Sequence, residues 1–161
     1  MSGSAGPMPS ESEARCDVCD AVLVRALSRS GEGAFVDAAV ALQPFDVLAC
    51  PDGHEMRYPY TGWSNEVRDG ILDALPIAVV APLHALRCRA CEEPLDRDAA
   101  EPGEVSVRVA LSQASPLLAI VHVPLLRCEH CGVEQVVFSD DLGSDLVDAV
   151  DAALEDAGVE P

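Results

Sequence analysis

Seven cysteines and one of the four histidines fall in four short pairs along this chain of 161 residues. Three pairs are CxxC motifs, and one is a CxxxH motif in which an imidazole replaces the second thiol. Two thiols separated by two residues can bend around one metal ion, and a second such pair completes a tetrahedral shell. The sequence therefore predicts two metal sites of four ligands each. The eight ligands are Cys16, Cys19, Cys50, His54, Cys88, Cys91, Cys128 and Cys131.

The metal that best suits these ligands is zinc, which binds thiolate sulfur and imidazole nitrogen in a tetrahedron. We expect two zinc ions, the first held by the pairs at 16/19 and 50/54 and the second by the pairs at 88/91 and 128/131. This sequential pairing is favoured because in each site one local β-hairpin would bring the two ligand pairs together. A shifted arrangement, in which the pair at 50/54 meets the pair at 88/91, stays open.

The two predicted sites differ in how fully their spacing defines them. In the second site, two CxxC pairs occur and Gly132 follows Cys131, where a turn often needs a positive φ. In the first site His54 is the expected fourth ligand, and Gly53 gives the turn before it freedom. Asp52 is the rival fourth ligand. The remaining histidines, His84, His122 and His130, are expected not to bind metal.

Redox chemistry of the cysteines is the less favoured alternative. An odd number of cysteines does not suit a full set of disulfides. The start of the chain is polar and has no apolar run typical of a signal peptide, so we expect a cytoplasmic protein, where thiols stay reduced.

The composition bears on partners. The formal net charge is -18, from 28 acidic and 10 basic residues. Binding to nucleic acid depends on neutralising phosphates with a basic surface, so direct nucleic-acid binding is not expected. No apolar run reaches the length of a membrane span. The expected partner is another protein, one that presents a basic surface to this acidic chain.

The elements that would position the ligands form a small α+β metal-stabilised protein, with two tandem zinc-ribbon-like β units each followed by a helix. A disordered tail is predicted over residues 1–14, the first unit over 15–76 and the second over 77–161. The segment 28–33 (SRSGEG) is predicted as a loop. Ser64 and Ser144 are predicted helix N-caps, and Pro76 is expected to end the first helix. Strands are predicted over residues 21–27, 35–42, 47–49, 105–111, 117–126 and 133–138.

This order of pairs and hairpins resembles zinc-ribbon proteins in general. Residues 50–95, with Cys50-Pro-Asp-Gly-His54, a helix and Cys88-Arg-Ala-Cys91, also resemble the bacterial CpXC family of presumed zinc-binding domains. The chain departs from that family in having His54 where a cysteine is usual. The resemblance implies zinc binding.

No sequence pattern of a known catalytic site is present, and both predicted shells are filled by protein ligands, so we do not expect an enzyme. The favoured function is a protein-protein interaction or adaptor module with structural zinc. Two alternatives are a transcription- or nucleic-acid-associated zinc-ribbon regulator and a rubredoxin-like electron carrier.

Overall fold

The computed structural model describes residues 14–80 and 85–159, which form eight strands, two α-helices and one short 3₁₀-helix. The predicted tail, apart from its last residue, and His84 lie outside the described residues. The helices are α1 (Trp63–Ala74) and α2 (Asp140–Asp156), and the 3₁₀-helix is Arg97–Ala99. The strands are β1 (Val24–Phe35), β2 (Ala38–Ala49), β3 (Met56–Arg57), β4 (Val79–Val80), β5 (Leu86–Arg87), β6 (Glu101–Val109), β7 (Leu117–Arg127) and β8 (Glu134–Val136).

Six of these strands form one antiparallel sheet with the order β1-β2-β7-β6, in which β3 pairs with β2 and β8 with β7. The hairpin β1–β2 comes from the first predicted unit and the hairpin β6–β7 from the second. Residues 39–42 of β2 pair with residues 119–122 of β7 and join the two hairpins edge to edge. The α+β class is confirmed, and the structure shows one shared sheet where the sequence predicts two tandem β units.

Each helix packs mainly on the hairpin from the other half of the chain. Helix α2 packs on β1 and β2, whereas α1 packs chiefly on β6. Helix α2, which follows the second hairpin in the chain, therefore covers the first hairpin, because the two hairpins form one joined sheet. A single apolar cluster spans both halves, with Trp63 of α1 buried beside Phe45 of β2 at a ring-centroid distance of 4.8 Å.

The predicted loop 28–33 is instead part of β1. Its glycines are needed where the helix backbone approaches the strand: a Cβ on Gly31 would lie 2.1 Å from the Ala153 carbonyl oxygen, and one on Gly33 would lie 2.3 Å from that of Ala149. The chain turns later, at Val36 and Asp37. β2 also continues through residues 43–46, which separate two predicted strands, because an irregular register between β1 and β2 accommodates Pro44 there.

Both predicted helix starts are also wrong. Helix α1 begins at Trp63, after Gly62 with φ 89°, and no side chain caps it. Helix α2 begins more than one turn before Ser144, because the Ser139 side chain accepts a hydrogen bond from the Leu142 N–H at 3.1 Å. Leu142 is buried and extends the apolar stripe of α2 toward its start. In the described part of the chain, neither helix has the length and apolar character needed to cross a bilayer.

We predict that Gly33→Ala destabilises the protein by roughly 2 kcal/mol or more, because the added methyl overlaps the backbone of α2. The measurement is the free energy of unfolding in urea. Glu32→Ala is the control: the Glu32 side chain is exposed, and its backbone N–H keeps the 3.0 Å hydrogen bond to Asp156. Equal stability of the two variants would show that α2 does not depend on this close approach.

Candidate metal centres

The structure gathers the eight predicted ligands into two groups of four, and within each group the donor atoms all lie within 4.8 Å of one another. The pairs meet sequentially, and the shifted arrangement of pairs is not the one that forms. The first cluster contains Cys16, Cys19, Cys50 and His54. The second cluster contains Cys88, Cys91, Cys128 and Cys131.

The distances within the clusters suit a tetrahedral metal ion. Zinc–sulfur bonds of about 2.3 Å place two sulfurs of a tetrahedron roughly 3.8 Å apart. The Sγ atoms of Cys19 and Cys50 are 3.5 Å apart, and in the second cluster two Sγ pairs are each separated by 3.6 Å. A disulfide needs about 2.05 Å, and all seven cysteines are free thiols. Each cluster could therefore hold one metal ion.

His54 is the fourth donor of the first cluster. Its Nδ1 atom lies 3.8 Å from Cys16 Sγ and 3.6 Å from Cys50 Sγ. Asp52 contributes through its backbone, whose N–H donates to Cys50 Sγ at 3.4 Å, while its side chain is exposed and lies outside the group of four. His122 and His130 join neither cluster.

The four pairs share one local fold. In each pair the N–H of the first cysteine donates to the carbonyl five residues later, at distances of 2.8 to 3.0 Å. In three pairs the N–H two residues after that cysteine also donates to its sulfur, at 3.4 Å. These bonds close the turn and partly neutralise a thiolate, so each pair is shaped for metal binding by its own backbone.

A residue with positive φ reverses the chain in every pair. It directly follows the second cysteine in the CxxC pairs, as Asp20 (59°), Glu92 (65°) and Gly132 (79°). In the CxxxH pair Gly53 (79°) makes this turn one position earlier, and His54 follows it. The one additional residue of CxxxH therefore places the chain reversal before His54. The imidazole side chain is longer than a thiol and still reaches the cluster.

Gln135 supports the second cluster from outside the group of four donors, and it was not predicted from the sequence. Its side chain is fully buried, and it is the one buried polar residue in the described part of the chain. Its Nε2 atom donates to Cys88 Sγ at 3.3 Å, and its Oε1 accepts from the Arg89 N–H at 2.8 Å. In the sequence Gln135 stands beside Glu134 in an otherwise apolar run over residues 133–138, and nothing in that pattern distinguishes it from a surface residue.

These hydrogen bonds favour a thiolate in each cluster. The Gln135 side chain, helped by the N–H groups of Cys91 and Ala90, lowers the pKa of the Cys88 thiol to about 6. Burial raises the pKa of Cys50, but the N–H groups of His54 and Asp52 outweigh it and the pKa falls to about 7. Because the thiolate is the form that binds metal, each cluster has one cysteine prepared for it.

An ion-paired carboxylate links the two pairs of the first cluster. Glu55 accepts a 2.9 Å hydrogen bond from the Asp17 N–H, which lowers the pKa of Glu55. Arg57 pairs with Glu55 and, at 3.1 Å, with Asp17. The guanidinium thus offsets two carboxylates that would otherwise add to the negative charge of the thiolates.

No family model, characterised protein or solved structure matches this chain. The resemblances to zinc-ribbon proteins and to the CpXC family therefore stay predictions. The fold and the two clusters define a small α+β protein with a Cys₃His and a Cys₄ group, each able to hold a metal ion.

We predict that Glu92→Gly stabilises the metal-loaded protein by about 1 kcal/mol, because a left-handed backbone is costly for a residue with a Cβ and not for glycine. Gly132→Ala, in the partner pair of the same cluster, should destabilise it by a similar amount. A Cβ at Gly132 would meet only the Arg127 side chain, at 3.6 Å, so backbone strain and not overlap sets the cost. The free energy of unfolding, measured by chemical denaturation, should rise in Glu92→Gly and fall in Gly132→Ala. Changes of the same sign in both variants would contradict this explanation.

We also predict that Gln135→Glu lowers the metal affinity of the second cluster by roughly 10- to 100-fold, measured by competition with a chelator, because it removes a supporting hydrogen bond. The variant keeps the shape and the acceptor but cannot donate to the Cys88 thiolate. The absorption of the cobalt-substituted protein should shift at the same time, because the donor acts on a ligand sulfur. Gln113→Glu, on the loop between β6 and β7, is the control. An unchanged cobalt spectrum would limit Gln135 to a packing role.

Proposed function

We propose that this protein is a non-enzymatic structural zinc protein with two zinc ions, whose function is to bind another protein. The observation that carries the proposal is that each cluster presents four protein donors within 4.8 Å of one another, at tetrahedral separations. The resemblance to zinc-ribbon proteins agrees with this function.

Zinc is favoured because its preferred donors are thiolate and imidazole in four-coordinate shells. A structural role is favoured because the protein fills all four positions, while a catalytic zinc keeps one position open for water or substrate. A Cys₃His group also counts against an iron electron carrier at the first site. The Cys₄ group suits iron as well as zinc, so the experiment must distinguish the two metals.

Metal binding would stabilise both ends of the sheet. Cys50 directly follows β2 and Cys128 directly follows β7. These strands pair antiparallel, so their last residues point in opposite directions and the two clusters lie toward opposite ends of the central strand pair. Each ion would tie the end of a long strand to a distant part of the chain. Because such sites do not exist in the unfolded chain, the binding free energy of the metal becomes folding free energy.

A protein partner is favoured by the charge of the chain. The net charge of -18 repels phosphates and attracts basic surfaces. A sheet stabilised from both ends is a rigid support on which such a surface can be presented.

We predict two zinc ions per chain in protein purified without a nickel column, measured by elemental analysis, and a colourless solution. A red protein containing iron would support the electron carrier. Removal of metal with a chelator should unfold the sheet, with loss of its far-ultraviolet circular dichroism, because metal binding is coupled to folding. Metal-free protein that keeps its melting temperature would contradict a structural role.

Variants at the first cluster provide the matched comparison. His54→Ala should retain one zinc ion firmly and lose the other, since it removes a donor whose Nδ1 lies 3.6 Å from Cys50 Sγ. Asp52→Ala should retain both, since only the backbone of Asp52 contacts the cluster. The reverse outcome would assign the fourth position to the carboxylate.

A further inference from the structure

The tip of the β1–β2 hairpin is both strained and apolar. Val36 is 79% exposed and has a φ of 51°, in the left-handed region that β-branched residues rarely adopt. Two-residue hairpin turns require a positive φ at this position and normally use glycine, asparagine or aspartate. Phe35, beside it, is 46% exposed. Strained residues cluster at ligand-binding and switch regions, so the exposed apolar tip is a candidate for such a role.

A groove opens next to this tip, along one edge of β7. Strand β2 pairs with β7 as far as His122, and β8 pairs with it from Leu125 onward. Residues 123–124 lie between these two partners and line a groove of about 510 Å³. Its floor is largely apolar, since Val36, Ala38, Val123 and two prolines contribute to it. The prolines, Pro102 and Pro124, face each other across β6 and β7 and have no N–H to donate.

The rim of the groove is acidic. Asp37 and Glu104 line it, and Glu32 lines an adjoining depression of about 320 Å³ that shares His122 with it. Arginine is absent from the lining of both, and the chain contains no lysine. His122 lies 3.6 Å from the Glu104 carboxylate and keeps a polar group at the boundary between the two depressions. An occupant must therefore combine apolar side chains with positive charge.

We propose that the Phe35–Val36 tip and this groove form a docking surface for a segment of a protein partner in which apolar side chains alternate with arginine or lysine. The inference rests on the proposed function and names the surface that would carry it. The apolar side chains of the partner enter the groove and cover Val36, and its basic groups pair with Asp37 and Glu104. The net charge of the chain speeds the encounter, and the apolar floor and strained tip select the segment.

The first test uses a synthetic nine-residue peptide of alternating arginine and leucine, added to the full zinc-loaded chain labelled with ¹⁵N. Saturable shifts of the amide signals of Val36, Glu104 and Val123 are expected, with an affinity that falls as salt increases. Two control peptides, one with serine in place of leucine and one with glutamate in place of arginine, should bind at least about tenfold more weakly, since each lacks one half of the complementarity. Equal binding of the serine peptide would overturn the proposal.

The second test uses variants that stay folded. Val36→Asn relieves the strain at the turn, so it should raise the melting temperature while it weakens peptide binding about fivefold or more. Glu104→Gln should weaken binding and reduce its salt dependence. Matched controls are Val79→Asn, at a valine that is 49% exposed on β4, and Asp148→Asn, on the exposed face of α2. Both should bind as the unaltered chain does.

Further results would also overturn the docking surface. Amide shifts spread over the exposed face of α2 around Asp148 would show that the acidic surface attracts the peptide without a defined site. Peptide binding weakened equally by Asp148→Asn and Glu104→Gln would show the same. Self-association in sedimentation that Val36→Asn abolishes would assign the tip to a second copy of this chain. Zinc measured in the same samples separates the two proposals: fewer than two ions contradicts the proposed function, whereas two ions without peptide binding contradicts the docking surface alone.

Discussion

Four backbone pairs between β2 and β7 hold the two halves of this protein together. They join residues 39–42 to residues 119–122 and so convert two hairpins into one sheet. Because the strands run antiparallel, the same pairs direct the two candidate metal centres to opposite ends of the sheet. They also leave the short gap before β8 that opens as the groove. The helices then cover this common sheet, each chiefly on the hairpin from the other half.

The halves cannot be independent in such an arrangement. Helix α2 approaches β1 so closely that glycine is required at two positions of the strand. Gly70 of α1 is required for the same reason, since a Cβ there would lie 2.4 Å from Val109 of β6. Arg68 of α1 also forms an ion pair of 2.6 Å with Asp151 of α2. The core is therefore continuous across the two halves. A destabilising substitution in one half should lower the stability of the whole chain, which should unfold in one cooperative transition.

Electrostatics shapes both the clusters and the surface. Thiolates bound to a divalent metal ion would leave excess negative charge in a chain that is already strongly acidic. Arginines beside the clusters counter this charge locally. Arg15 and Arg87 each precede a cysteine pair and donate to the carbonyl of its left-handed residue, at 3.0 and 3.2 Å. Arg57 forms ion pairs with Asp17 and Glu55, the two carboxylates beside the first cluster. The surface farther from the clusters keeps its negative charge, which is the basis for expecting a basic partner.

The sequence alone determined the two groups of four donors, since a turn that could surround a metal ion is a local matter of two or three residues and its spacing is legible in CxxC and CxxxH. It also predicted most of β6, whose apolar residues alternate from Val105 onward, and nearly all of β7, which is an almost continuous apolar run. It could not show that β2 pairs with β7, because strand pairing depends on contacts far apart along the chain. For the same reason the glycines of β1 suggested a loop, although they serve close packing by α2. Gln135 looked like a surface residue until the fold placed it against Cys88, and only tertiary structure decides which polar side chain is buried beside a sulfur.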